Sequence, residues 1–132
     1  MAVAKFREPN RARWVGIRPG HDGEQVVKHG WAVNVGTFLF YTVTAGKVLL
    51  LDEWFWTCQG AAANESSFYI RDTADVVWLR LTQICSVPAF YLSGGNALSF
   101  PIEVPAGYDI CASNTVATTY QGCHFHGIEI PV

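Results

Sequence analysis

The run Gly122-Cys123-His124-Phe125-His126-Gly127-Ile128-Glu129 near the end of the chain contains its most metal-like spacing. Residues two apart in a strand share a face, so His124 and His126 project side by side, as two ligands of one ion must. Zinc or iron wants at least one further ligand within reach. Glu129 is the nearest candidate, but in a regular strand it has the opposite parity to both histidines and faces away. Only a bulge at Gly127 would reset the alternation. His21 and His29 lie far upstream. The expectation is therefore no metal site, with both imidazoles neutral, hydrogen-bonded, and lining either the protein interior or a subunit interface.

Other chemistry is thinner. Ser66, Ser67, Ser86, Ser93, Ser99 and Ser113 sit in no GxSxG elbow, and no glycine-rich phosphate loop precedes a helix. Asp52 and Glu53 are adjacent and, in a regular strand, point to opposite faces, which argues against a paired-carboxylate glycosidase site. Cys58, Cys85, Cys111 and Cys123 form no CxxC pair and read as reduced, buried small hydrophobes. Two disulfides are the alternative in an oxidising compartment. The chain is thus expected to be no enzyme, with no catalytic residue and no bound cofactor.

The elements that would position these residues are strands. Thr37 to Thr44 and Lys47 to Cys58 are rich in aromatic and β-branched residues and flank a turn at Ala45-Gly46. Ser66 to Asp72 and Asp75 to Cys85 read as two more, the second with Val77, Leu79 and Leu81 on one face. AFYL before Gly94-Gly95, ALSFPIEV before a second turn, YDICAS, TVATTYQ and CHFHGIEI complete the series. No stretch has helical periodicity. About eight short strands with turns every 8 to 12 residues indicate an all-β sandwich or barrel. Val43 to Lys47 (VTAGK) echoes Val104 to Tyr108 (VPAGY), which places Gly46 and Gly107 at corners that demand positive φ and suggests two similar halves. Residues 1–36, broken by prolines and glycines, read as an extended arm before a body of residues 37–132. Pieces of that arm such as WVGI and WAVNV are candidates for edge strands.

Composition bounds the rest. The 132 residues suit one domain. Half are hydrophobic and only 15% are charged, so part of the apolar surface is expected to be hidden against other chains. Residues 1–28 hold six basic and three acidic residues, the remainder three basic and eight acidic, so a basic arm precedes an acidic body. The basic residues are too few, and without a motif, for nucleic acid. No run approaches the 20 or so apolar residues of a membrane span, and the start lacks the apolar core of a signal peptide, which points to synthesis in the cytoplasm. Exposed Trp54, Trp56, Phe55, Phe68, Tyr69, Phe90 and Tyr91 would form a carbohydrate platform; buried, they are core.

The order of strand, V-x-A-G corner, strand, then FPIEVPAGYDI and a terminal GIEIPV resembles the small jelly-roll domains of tailed-phage virions. These are head decoration proteins, head-fibre bases and trimeric, tumour-necrosis-factor-like β-sandwiches. The resemblance spans Thr37 to Val132. It implies an antiparallel jelly-roll sandwich and a non-enzymatic virion protein that decorates and stabilises the head shell. It also implies a homo-oligomer, a trimer by the family pattern, with the terminal arm gripping the major capsid protein or another virion protein. A carbohydrate-binding or host-adhesion module on a tail or fibre is the second reading, with a glycan as partner. The third, a cupin-like metal enzyme, fits poorly: Glu129 follows His126 too soon, no later segment supplies a fourth ligand, and GYDICASN lacks the histidine that the second cupin motif needs.

Overall fold

The structure is a computed structural model that describes residues 23–60, 64–86, 90–117 and 119–132. Eight strands account for nearly all of it: β1 (Glu24–Val33), β2 (Gly36–Thr42), β3 (Lys47–Gly60), β4 (Asn64–Arg71), β5 (Val77–Ser86), β6 (Phe90–Val104), β7 (Asp109–Asn114) and β8 (Thr119–Pro131). There is no helix among the described residues. They form two antiparallel four-stranded sheets, ordered β1-β8-β3-β6 and β2-β7-β4-β5. This is jelly-roll connectivity. After β1, each strand up to β7 pairs not with its predecessor but across the roll, apart from the β4–β5 hairpin, and β8 returns between β1 and β3.

Alternation of side chains produces the sandwich. On β8 the residues from Thr119 to Glu129 alternate buried and exposed or half-buried with period two. Its inward side chains, with Leu49, Leu51 and Trp54 of β3, meet Phe68 and Ile70 of β4 and Ile110 and Ala112 of β7 in one core. Fully burying residues of this size stabilises the fold by about 1.5–3 kcal/mol each. Phe40 of β2 and Phe68 of β4, in the same sheet, meet edge to face with centroids 6.2 Å apart.

The two echoed corners are neighbours. The Val43 N–H donates to the Tyr108 carbonyl and the Gly107 N–H to the Val43 carbonyl, each at 2.9 Å. Gly46 and Gly107 have φ of 76° and 78°, the left-handed region that a side chain disfavours. One corner carries the chain from the second sheet to the first, the other carries it back, and they are laced together at the same end.

Three expectations need correction. β1 begins at Glu24, inside the segment assigned to the arm, and pairs with β8 at ten positions, with Val26 and Ala32 in the core. The WAV piece is the end of this edge strand, so the body starts earlier than residue 37. Residues 1–22 of the expected arm lie outside the described residues. Second, Gly94-Gly95 is no turn: β6 runs through it. The glycines permit close approach instead, since a Cβ on Gly95 would run into the Phe55 ring and lie 2.6 Å from the Trp54 carbonyl oxygen. Third, TYQ and CHFHGIEI are one strand, because Gly122 lies in register opposite Trp31 and Thr57 without interrupting the ladder.

Candidate functional site

The outward face of the β1-β8-β3-β6 sheet gathers the residues singled out above, and the strand registers arrange them in rows. Val27, His126, Glu53 and Ala97 form one row; His29, His124, Phe55 and Gly95 the next. Trp31, Gly122, Thr57 and Ser93 follow, then Val33, Tyr120, Gln59 and Tyr91. Buried neighbours of opposite parity fix the orientation: Val26 and Ala32 on β1, Cys123 and Phe125 on β8, and Trp54 and Cys58 on β3 all face the core.

His124 and His126 are therefore side by side, as their spacing demands, but they face outward and do not line the sandwich interior. β8 keeps register through Gly127, so Glu129 points the other way. It is 2% exposed and accepts hydrogen bonds from the Tyr41 hydroxyl at 2.7 Å and the Thr44 N–H at 2.8 Å, with Lys47 Nζ 3.7 Å away. Burial alone would raise its carboxyl pKa, but these donors together hold it below the usual range. Glu129 thus braces the corner next to Gly46 and takes no part in the histidine face.

A bulge overturns the expected separation of Asp52 and Glu53. In the β3–β8 ladder Leu51 pairs with Gly127 and Glu53 with His126, leaving Asp52 as the extra residue. Both carboxylates consequently reach the histidine side. Asp52 Oδ1 is 2.6 Å from His126 Nδ1, and Glu53 Oε1 is 4.0 Å from His124 Nε2. The Gln25 amide nitrogen lies 2.8 Å from His126 Nε2. A neutral imidazole with its proton on Nδ1 satisfies both contacts, donating to Asp52 and accepting from Gln25. Hydrophobic alternation could not reveal this, because a bulge changes parity without changing composition. Among the described residues no group of three or more His, Cys, Asp or Glu is placed to hold a metal ion.

Beside the histidines lies a groove of about 210 Å³ lined by His29, Trp31, Phe55, Thr57 and His124, with Gly122 among the residues that border it. Its lining is almost wholly apolar. A Cβ on Gly122 would come within 3.0 Å of the Trp31 ring, so the glycine is what leaves room for that ring beside the strand. Trp31 is 62% exposed, Tyr91 66%, Tyr120 50% and Phe55 48%. The sequence pointed to Phe55 and Tyr91 among possible platform residues but missed Trp31 and Tyr120. Trp54, Phe68 and Tyr69, also named as platform candidates, are buried.

The cysteines contribute no reactive group among those described. Cys58, Cys111 and Cys123 are buried and free. Burial pushes all three thiols up, Cys111 to about 11.

No family model and no curated protein matches this chain. Several solved structures resemble it. The Tobacco streak virus coat protein aligns over 88% of this chain and 90% of its own, with 6% identity and a TM-score of 0.40. The cyanophage Pam1 capsid asymmetric unit aligns over 84% and 91%, with 12% identity and a TM-score of 0.39. A Bacillus endospore appendage, described as one of a family of disulfide-linked pili, aligns over 88% and 95%, with 11% identity and a TM-score of 0.36. At these values the likenesses assign no function.

Proposed function

We propose that this protein is a virion structural component, a capsid decoration protein whose jelly-roll bodies associate with one another and whose N-terminal segment binds the major capsid protein or another virion protein. The observation that carries the reading is the aromatic outward face of the β1-β8-β3-β6 sheet. Trp31, Phe55, Tyr91 and Tyr120 stand exposed there, and across the four rows only Glu53, with Asp52 of the bulge, carries a formal charge apart from any histidine protonation. Contiguous exposed apolar surface of this kind marks a contact face. The strand-and-corner pattern and the basic bias of residues 1–28 support the virion setting. Function is then mechanical: buried contact area stabilises a shell by mass action, without turnover of a substrate.

The exposed rings also favour the adhesion reading, in which a sugar stacks on them. Immunogold electron microscopy of particles made with this protein separates the two. Label distributed over heads is the expected result. Label confined to tail tips would overturn decoration in favour of adhesion, and absence of label from purified particles would overturn both.

A further inference from the structure

Resting on that self-association, we infer that the groove beside Gly122 receives the Tyr91 side chain of a second copy of this chain. Knob and groove belong to one face, the groove centred on β8 and the knob on the edge strand β6. The groove lies between β1, β8 and β3, whereas Tyr91 stands on β6, the far edge strand. Trp31 on β1 and Ser93 on β6 occupy one row, so Tyr91, one row beyond, is three strand spacings from Trp31, about 14 Å. The nearer wall of the groove, at Thr57 on β3, is a diagonal neighbour of Tyr91, yet Tyr91 is not among the residues that line the groove. At 66% exposure the Tyr91 ring is left for a neighbour.

The chemistry of the two parts matches. The groove wall is aromatic and apolar, and His29, His124 and Thr57 at its border carry polar atoms that a phenol hydroxyl can meet. Tyr91 is flanked on its face by Gln59 and Ser93, so bringing it in buries no unpaired charge. Area is sufficient as well. An aromatic side chain offers about 150–250 Å², so the exposed parts of the four rings amount to roughly 400–500 Å² per copy, more than half of the ~800 Å² per partner in a standard interface. The valines and histidines of the same rows extend it.

Knob and groove share one face, so two copies meeting face to face each place their knob in the other's groove, an isologous contact about a two-fold axis that sets all four rings of each copy against the other.

The test uses native mass spectrometry and sedimentation of the full chain with Tyr91→Ser, Trp31→Ser, and Val76→Ser as a control on an exposed residue of another surface. Wild type and V76S should be oligomeric at micromolar concentration. Y91S and W31S should each need at least tenfold more protein to associate. A one-to-one mixture of Y91S and W31S should recover a two-chain species, since one intact knob meets one intact groove. Circular dichroism checks that each variant is folded, and Tyr91→Phe should associate as wild type does. An oligomer that Y91S leaves within twofold of wild type overturns the knob while leaving self-association standing. A mixture that fails to pair overturns the pairing of knob with groove. Saturation transfer from the protein to methyl β-glucopyranoside, in an oligomer that Y91S leaves intact, would give the groove to a sugar instead. A monomeric wild type would overturn the self-association beneath the inference.

Discussion

Asp52 Oδ1 lies 2.6 Å from His126 Nδ1 because Asp52 is the extra residue of a bulge opposite Gly127 and His126. The extra residue brings both Asp52 and Glu53 to the histidine side, and the ladder resumes beyond it with Trp54 facing the core and Phe55 the outer face. Asp52→Ala should cost about 0.5–1.5 kcal/mol, the usual worth of one part-buried hydrogen bond. Deleting Asp52 removes the extra residue and leaves Leu51 opposite Gly127 and Glu53 opposite His126 in a regular ladder, so Trp54, Trp56 and Cys58 keep their faces and the cost should stay within about 1 kcal/mol of that of Asp52→Ala. Urea denaturation of both variants measures the difference, and a loss several-fold larger for the deletion would show that Asp52 is not the residue the ladder leaves out.

Glu129 predicts a pH dependence with a definite sign. Its folded-state pKa is depressed, so its contribution to stability is fully present above the unfolded carboxylate value, near 4.3, and is lost as pH falls through the lower folded value. Glu129→Gln should lower stability at pH 7 by about 1–3 kcal/mol, because the Tyr41 hydroxyl and the Thr44 N–H lose a charged acceptor. It should also flatten the loss of stability between about pH 5 and pH 2. Chemical denaturation across that range checks both parts.

Two glycines should respond differently to alanine. At Gly95 a Cβ would meet the Phe55 ring and the Trp54 carbonyl oxygen, and backbone cannot move aside cheaply. Gly95→Ala should therefore destabilise by about 1–3 kcal/mol, the range of overpacked cores. Nothing lies within 4 Å of a Cβ on Gly46, so Gly46→Ala meets only the strain of its positive φ, about 1–2 kcal/mol. Thermal melts of the pair should rank Gly95→Ala as the less stable.

Gln121 is wholly buried, and neither its amide oxygen nor its amide nitrogen has a hydrogen-bond partner among the described residues. An unsatisfied buried group is costly, while an apolar side chain of similar shape leaves nothing unpaired. Gln121→Met should be neutral or stabilising by up to about 2 kcal/mol. A loss of more than 1 kcal/mol in a denaturant titration would show that the amide is satisfied in solution.

Most of the architecture was readable from alternation and corners. VTAGK and VPAGY marked the crossings between sheets, and their glycines have the backbone angles that the motif implied. The misreadings share a physical cause. Gly94-Gly95 and Gly122 look like turns because glycine permits turns, but here they admit aromatic rings beside a continuous strand. β1 was hidden because its inward residues, Val26, Lys28, Gly30 and Ala32, include a lysine and a glycine, which blur the period of a half-buried edge strand. Asp52 and Glu53 were misplaced for want of any sequence mark of the bulge. Trp31 was overlooked as a site residue because its strand was read as arm.

The loss of β1 is expected to be severe. Removing residues 1–35 takes away ten register positions with β8, the buried Val26 and Ala32, and the carbonyl that accepts from the Asn114 side chain at 2.9 Å. The truncated chain should lose several kcal/mol. A melting temperature unchanged by the truncation would place β1 outside the cooperative fold.

The contact face itself is tested most directly by hydroxyl-radical footprinting of the intact protein in its native assembly, with Trp78 as an internal reference. In the isolated chain Trp31, at 62% exposure, is more open than Trp78, at 44%. If the β1-β8-β3-β6 face is covered by neighbouring copies, Trp31 should be oxidised several-fold more slowly than Trp78, and Tyr91 should be protected along with it. Oxidation of Trp31 faster than Trp78, in the order of their isolated exposures, would contradict the account.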